Sequence, residues 1–122
     1  MKNRKQPLFK SFGYAFEGIW TGISKERNMK IHCLAVILVT AVGTFVGLTP
    51  MEWGICLLLF GMVISLELVN TAVEAVVDLV TEERKPLAKI AKDTAAGAVL
   101  FTAIMAVIIG GIIFIPHFIA LL

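Results

Sequence analysis

Apolar residues come in three long runs along this chain, 31–48, 53–66 and 94–115, and the middle run continues in a different rhythm. From its end onward the polar positions recur as Glu67, Asn70, Glu74 and Asp78. On a helix turning by about 100° per residue, those four fall within roughly 80° of one another and form one polar stripe on an otherwise apolar cylinder. At a rise of about 1.5 Å per residue the runs reach, or nearly reach, the span of about 30 Å of hydrocarbon. Membrane helices are therefore predicted over 29–48, 52–80 and 90–117. The middle one becomes a full span only where its acids face protein or a water-filled site.

Ahead of the first run the pattern is amphipathic. Leu8, Phe9, Phe12, Phe16, Ile19, Trp20 and Ile23 share about 120° of a helical wheel, with Lys10, Tyr14, Glu17 and Thr21 opposite. Aromatic residues on one face and Lys on the other suit the headgroup boundary of an anionic bilayer, although the same stripe would also pack on a partner protein. An interfacial helix over 6–27 is expected, preceded by a basic, polar and disordered 1–6. The fold class is thus an all-α integral membrane protein, a single domain over 1–122 with three transmembrane helices and an N-terminal amphipathic interfacial helix.

Composition agrees, because 58% of the 122 residues are hydrophobic and only 16% charged, far from the balance of a soluble domain. A soluble three-helix bundle would need more polar outer faces than 31–48 provides. All 11 Lys and Arg lie before the first run or between the second and third, so both regions are expected on the cytoplasmic side of the membrane and the C-terminus outside. No cleavable signal is expected, since the first thirty residues carry charge throughout. Cys33 and Cys56 read as free, small hydrophobes, and no nucleic-acid partner is expected.

An ionised carboxylate in hydrocarbon costs at least roughly 2.5 to 3.5 kcal/mol, so acids on a membrane helix point to function. The phosphate-loop signature and the protein-kinase pattern are both absent. What remains is a set of carboxylates suited to a hard divalent cation, Glu26 and Glu74, together with Lys92 and Asp93 where the third span begins. A metal, a basic group and an acid together match phosphoryl transfer. Glu67 lies about 10 Å deeper than Glu74, where a lipid hydroxyl rather than a nucleotide would sit.

The stripe Glu67, Asn70, Glu74, Asp78, followed about a dozen residues on by Ala91, Lys92 and Asp93, resembles the signature of the prokaryotic diacylglycerol kinase family. Gly13, Tyr14, Gly18 and the Glu26, Arg27, Asn28 segment resemble its amino-terminal pattern, and 26–32 is closest to the Gram-positive branch of undecaprenol kinases. The resemblance implies a homotrimeric lipid kinase with active sites shared between subunits, using ATP with Mg²⁺ or another divalent cation. Glu67 would be the general base on the lipid hydroxyl and Asn70 would order the site. Glu26 and Glu74 would hold the metal against the ATP phosphates, which Lys92 and Asp93 would contact. Tyr14 would contact the nucleotide, and Glu83, Arg84 and Lys85 stand where the inner loop approaches ATP. Asp78 is counted with this nucleotide-facing group, its alternative being to orient the stripe or cap the helix. Pro7 replaces a nucleotide-binding Arg of the Gram-negative branch, which leaves that subsite to Arg4 or Lys10.

Other readings stand beside these. Glu26, between Lys25 and Arg27, also reads as a solvated interfacial charge. Lys92 and Asp93 read as an interface charge and a helix-start acid, with Pro86 opening a short helix ahead of the third span. His32 and His117 read as membrane-boundary residues, and Ala95 to Ala98 as a close-packing surface. Intramembrane acids also serve cation channels and transporters, but 53–66 offers no polar relay to the outside and the chain has no inverted repeat. A membrane scaffold leaves the stripe unexplained except as trimer glue. The acceptor implied is undecaprenol, giving undecaprenyl phosphate, with diacylglycerol, giving phosphatidic acid, as the alternative; both present a primary hydroxyl.

Overall fold

The computed structural model describes residues 7–122; the basic segment 1–6, with Arg4, lies outside the described residues. Four helices follow one another, α1 (Leu8–Lys25), α2 (Arg27–Val46), α3 (Pro50–Val80) and α4 (Pro86–Ala120), with no strand among the described residues. The all-α class expected from the periodicity is found. α2, α3 and α4 are each long and apolar enough to cross a membrane. Their large apolar side chains face outward, Phe45, Leu79 and Val107 among them, as hydrocarbon requires and water would not tolerate.

Local chemistry sets the helix ends. Gly47, at φ 77°, adopts the left-handed conformation that closes α2, and its N–H and that of Leu48 both donate to the Gly43 carbonyl. Two residues later Thr49 caps α3. Its hydroxyl accepts from the Glu52 N–H at 3.2 Å while the Glu52 carboxylate accepts from the Thr49 N–H at 2.9 Å, with Pro50 in the first turn. At the far end Thr81 turns extended, and its hydroxyl accepts from the Glu83 N–H at 3.1 Å. Pro86 then opens α4.

One sequence expectation is corrected here. Pro86 does not begin a separate short helix, because α4 runs unbroken to Ala120. No Gly or Pro interrupts 87–96, so nothing breaks the hydrogen-bond ladder between the loop and the span. Lys92 and Asp93 consequently lie well inside α4 rather than at its start.

α3 and α4 pack most extensively, and α2 and α1 join them more lightly. Between α1 and α2 there is a single extended residue, Glu26, at φ −98° and ψ 124°. The end of α1 is seated by Gly22, where a Cβ would collide with the Leu68 side chain of α3. A larger residue there would force the Leu68 side chain to move, and this seat lies four residues ahead of Glu26. At the opposite end His117 of α4 pairs with Glu52 of α3 at 2.9 Å, so this histidine ties two helix ends together.

Candidate active site

The four stripe residues lie in order of burial. Glu67 is 2% exposed and Asn70 5%, Glu74 is half-buried and Asp78 is exposed. The stripe thus runs from the packed interior of the helices to the α3–α4 turn. Within it the Asn70 Nδ2 donates to Glu74 Oε1 at 2.9 Å, a bond between neighbouring helical turns. The Asn70 Oδ1 is buried and has no partner, which leaves one acceptor free for a ligand.

Two hollows adjoin the stripe. The inner one, of about 190 Å³, has Glu67, Asn70, Asn28 and His32 as its polar wall, with Val99 and Leu100 of α4 opposite. His32 Nε2 lies 3.6 Å from Glu67 Oε2. This histidine, read from sequence as a membrane-boundary residue, faces the buried acid. The signal was available, since Asn28 and His32 stand four residues apart and so share one face at the start of an otherwise apolar helix. An apolar groove of about 420 Å³ between α2, α3 and α4 shares Ile31, His32 and Ala103 with this hollow.

The outer hollow, of about 630 Å³, lies at the α3–α4 turn and gathers Glu83, Arg84, Lys85, Lys89, Lys92 and Asp93. Lys92 Nζ donates to Asp78 Oδ1 at 2.6 Å, tying α4 to the exposed end of the stripe. Lys89 pairs with Asp93 one turn along α4, and Lys85 with Glu83 at 3.6 Å. Asp78 does not cap its helix, since Thr81 ends α3 and the carboxylate is engaged by Lys92.

Of the residues singled out from sequence, Glu67, Asn70 and Glu74 form one connected group, and Asp78, Glu83, Arg84, Lys85, Lys92 and Asp93 a second. Glu74 and Asp78 line neither hollow but are bonded to residues that do, Asn70 and Lys92, whereas Glu26, Tyr14 and Lys10 line neither and make no side-chain bond to either group among the described residues. Glu26 is half-buried at its hinge, while Tyr14, 54% exposed, and Lys10 project from α1. Among the described residues no three His, Cys, Asp or Glu side chains form a metal cage. The carboxylate oxygens of Glu74 and Glu26 nonetheless suit Mg²⁺, which takes one or two carboxylates and completes its shell with water and phosphate.

Residues 13–114, which include the whole stripe and Lys92–Asp93, match the family described as prokaryotic diacylglycerol kinase. The chain belongs to that family. It is 48% identical over 115 residues to an undecaprenol kinase of Bacillus subtilis, covering 94% of both chains. A diacylglycerol kinase of Synechocystis is 41% identical over 116 residues, covering 94% of this chain and 66% of that one. The diacylglycerol kinase of Escherichia coli K12 is 29% identical over 111 residues, covering 91% of both. Membership of this kinase family leaves the channel and scaffold readings without support. A cation path is opposed as well by the buried residues of α3 ahead of the stripe, Cys56 and Val63, which are apolar.

Proposed function

We propose that this protein is a lipid kinase of the inner face of the bacterial cell membrane, transferring the γ-phosphoryl group of ATP to the primary hydroxyl of undecaprenol. One observation carries the reading. A carboxylate that is 2% exposed, Glu67, stands at the wall of a polar hollow that continues into an apolar groove between membrane-spanning helices. Such a junction suits an acceptor that is a hydroxyl at one end and hydrocarbon at the other. The cationic hollow at the other end of the stripe suits the triphosphate.

In this reading Glu67 takes the hydroxyl proton as the oxygen attacks the γ-phosphorus. Glu74 and Glu26 would hold Mg²⁺, which when bound would neutralise phosphate charge. Asn70 orients the Glu74 carboxylate through its 2.9 Å bond and offers its free Oδ1 to the ligand. Lys92 exchanges Asp78 for phosphate oxygens, and Arg84 and Lys85 add positive charge at the turn. Asp93 and Glu83 border the same hollow, with Tyr14 and Lys10 against the nucleotide. Because Glu26, Tyr14 and Lys10 neither line a hollow nor bond to a residue that does within one chain, the site is completed by a neighbouring subunit in a homotrimer. α1 then lies in the interface with Phe9, Phe12, Phe16 and Trp20 toward lipid, all exposed in the single chain. The basic N-terminal region and the α3–α4 turn face the cytoplasm.

The names of the relatives support the acceptor, undecaprenol at 48% identity and diacylglycerol at 41% and 29%. Purified protein given ATP, Mg²⁺ and each lipid in parallel is expected to turn over undecaprenol with the higher kcat/KM. Preference for diacylglycerol would exchange the two assignments, and transfer to neither would overturn the reading.

A further inference from the structure

Phosphorylating an alcohol with ATP releases a proton. The hydroxyl oxygen bonds to the γ-phosphorus, the bond from that phosphorus to the β–γ bridging oxygen breaks, and ADP leaves with the electron pair. In the mechanism above, on which this inference rests, the proton arrives on Glu67. That side chain is 2% exposed, so it has no direct path to bulk water. A base that keeps its proton cannot act in the next turnover.

Among the described residues, His32 is the basic group within ion-pair distance of Glu67, Nε2 to Oε2 at 3.6 Å. Its side chain is 19% exposed and lies within two turns of the polar start of α2, where Arg27 and Lys30 mark the aqueous boundary. No other wall of the hollow supplies a titratable side chain. α4 contributes Ala96, Val99, Leu100 and Ala103, α3 adds only the amide of Asn70 beside Glu67, α2 adds Asn28, and α1 contributes nothing. The 3.6 Å separation exceeds a hydrogen bond by about half an ångström, a gap that side-chain motion closes on the picosecond to nanosecond scale.

We propose that His32 is a positioning residue acting through Glu67, a relay that clears the proton from the buried carboxyl after each transfer. The imidazole accepts at Nε2, becomes imidazolium, and loses a proton from either ring nitrogen to water at the mouth of the hollow, which returns Glu67 to its carboxylate form.

The test uses the full-length protein in lipid bilayers with ATP, Mg²⁺ and undecaprenol. His32→Gln keeps the size and a donor but cannot carry a proton. It is expected to complete its first turnover at nearly the normal rate and then slow by about 10- to 100-fold, a burst within the range of acid–base effects. His32→Ala opens space beside Glu67, and added imidazole is expected to restore its steady rate saturably while leaving the unmodified protein unaffected. KM for ATP should stay within about threefold of normal in both, since neither change touches the nucleotide. Steady turnover of His32→Gln at the normal rate would overturn the relay, as would a slowing equal in the first and later turnovers. Glu67→Gln is measured alongside. If that variant turns over normally, the general-base reading fails; if it is inactive while His32→Gln shows no burst, the relay alone fails.

Discussion

Glu67 and Glu74 are the same residue type seven positions apart, yet their surroundings differ, and the proposed roles differ with them. Glu67 is buried against His32, on the side from which a hydrocarbon-borne hydroxyl would arrive, whereas Glu74 is half-buried and bonded to Asn70. Glu67→Gln is therefore expected to lose roughly 10²- to 10⁴-fold in turnover, the usual cost of removing a general base, while ATP and Mg²⁺ still bind. Single-turnover transfer and nucleotide binding, measured separately, check this. A variant whose only defect is weaker ATP binding would assign Glu67 to the nucleotide site instead. Glu74→Gln is expected to abolish activity with the oligomer intact, because a neutral amide is a poor ligand for a hard cation. Its failure should resemble that of the unmodified protein stripped of divalent cations by a chelator, except that added Mg²⁺ rescues only the latter.

At the scale of elements, the depth of the stripe depends on where α3 begins. Thr49 and Glu52 close a reciprocal pair of hydrogen bonds, Pro50 fixes the first turn, and Gly47 reverses the chain just ahead of them. Thr49→Ala removes one side of that pair and is expected to cost about 1 kcal/mol, read as a lowered thermal midpoint in detergent with kcat unchanged, since Glu67 lies more than four turns away. Gly22 acts differently, because it seats α1 on α3. Gly22→Val adds a branched side chain where even a Cβ meets Leu68. It should shift α1 and the Glu26 hinge together, reducing activity more than stability, and assays of both on one preparation separate the two effects. Normal activity in Gly22→Val would mean that the seating of α1 does not govern the position of Glu26.

For the whole molecule, the division of residues between hollows carries the prediction. Glu67, Asn70 and Glu74 form a connected group on one helix, but Glu26 lines neither hollow of its own chain. The proposed sharing of the site between subunits rests on that division and on the small size of the chain. Glu67→Gln and Glu26→Gln subunits, each inactive alone, are expected to regain part of the activity when mixed and allowed to exchange. No recovery at any ratio, with exchange demonstrated, would return the site to a single chain.

How much of this was legible before the helices were packed follows from the range of each interaction. The four-helix, all-α architecture, the apolar spans and the polar stripe rest on spacings within about one or two turns, and such local periodicity is written directly in the order of residues. The family was legible for the same reason, its signature lying on α3 and, about a dozen residues on, inside α4. What faces the stripe was not. His32 reaches Glu67 from 35 positions away, Lys92 reaches Asp78 across a turn, and His117 reaches Glu52 from the far end of the chain. On α2 read alone, the four-residue spacing of Asn28 and His32 marks a polar face but does not say that the face is aimed at a buried acid, and His117 carries no such mark. The continuity of α4 was missed because Pro86 is compatible with opening either a short helix or a long one. Long-range packing of α2 and α4 on α3 decided which charges meet, and with it which acid is shut away from water and which is left open at the turn.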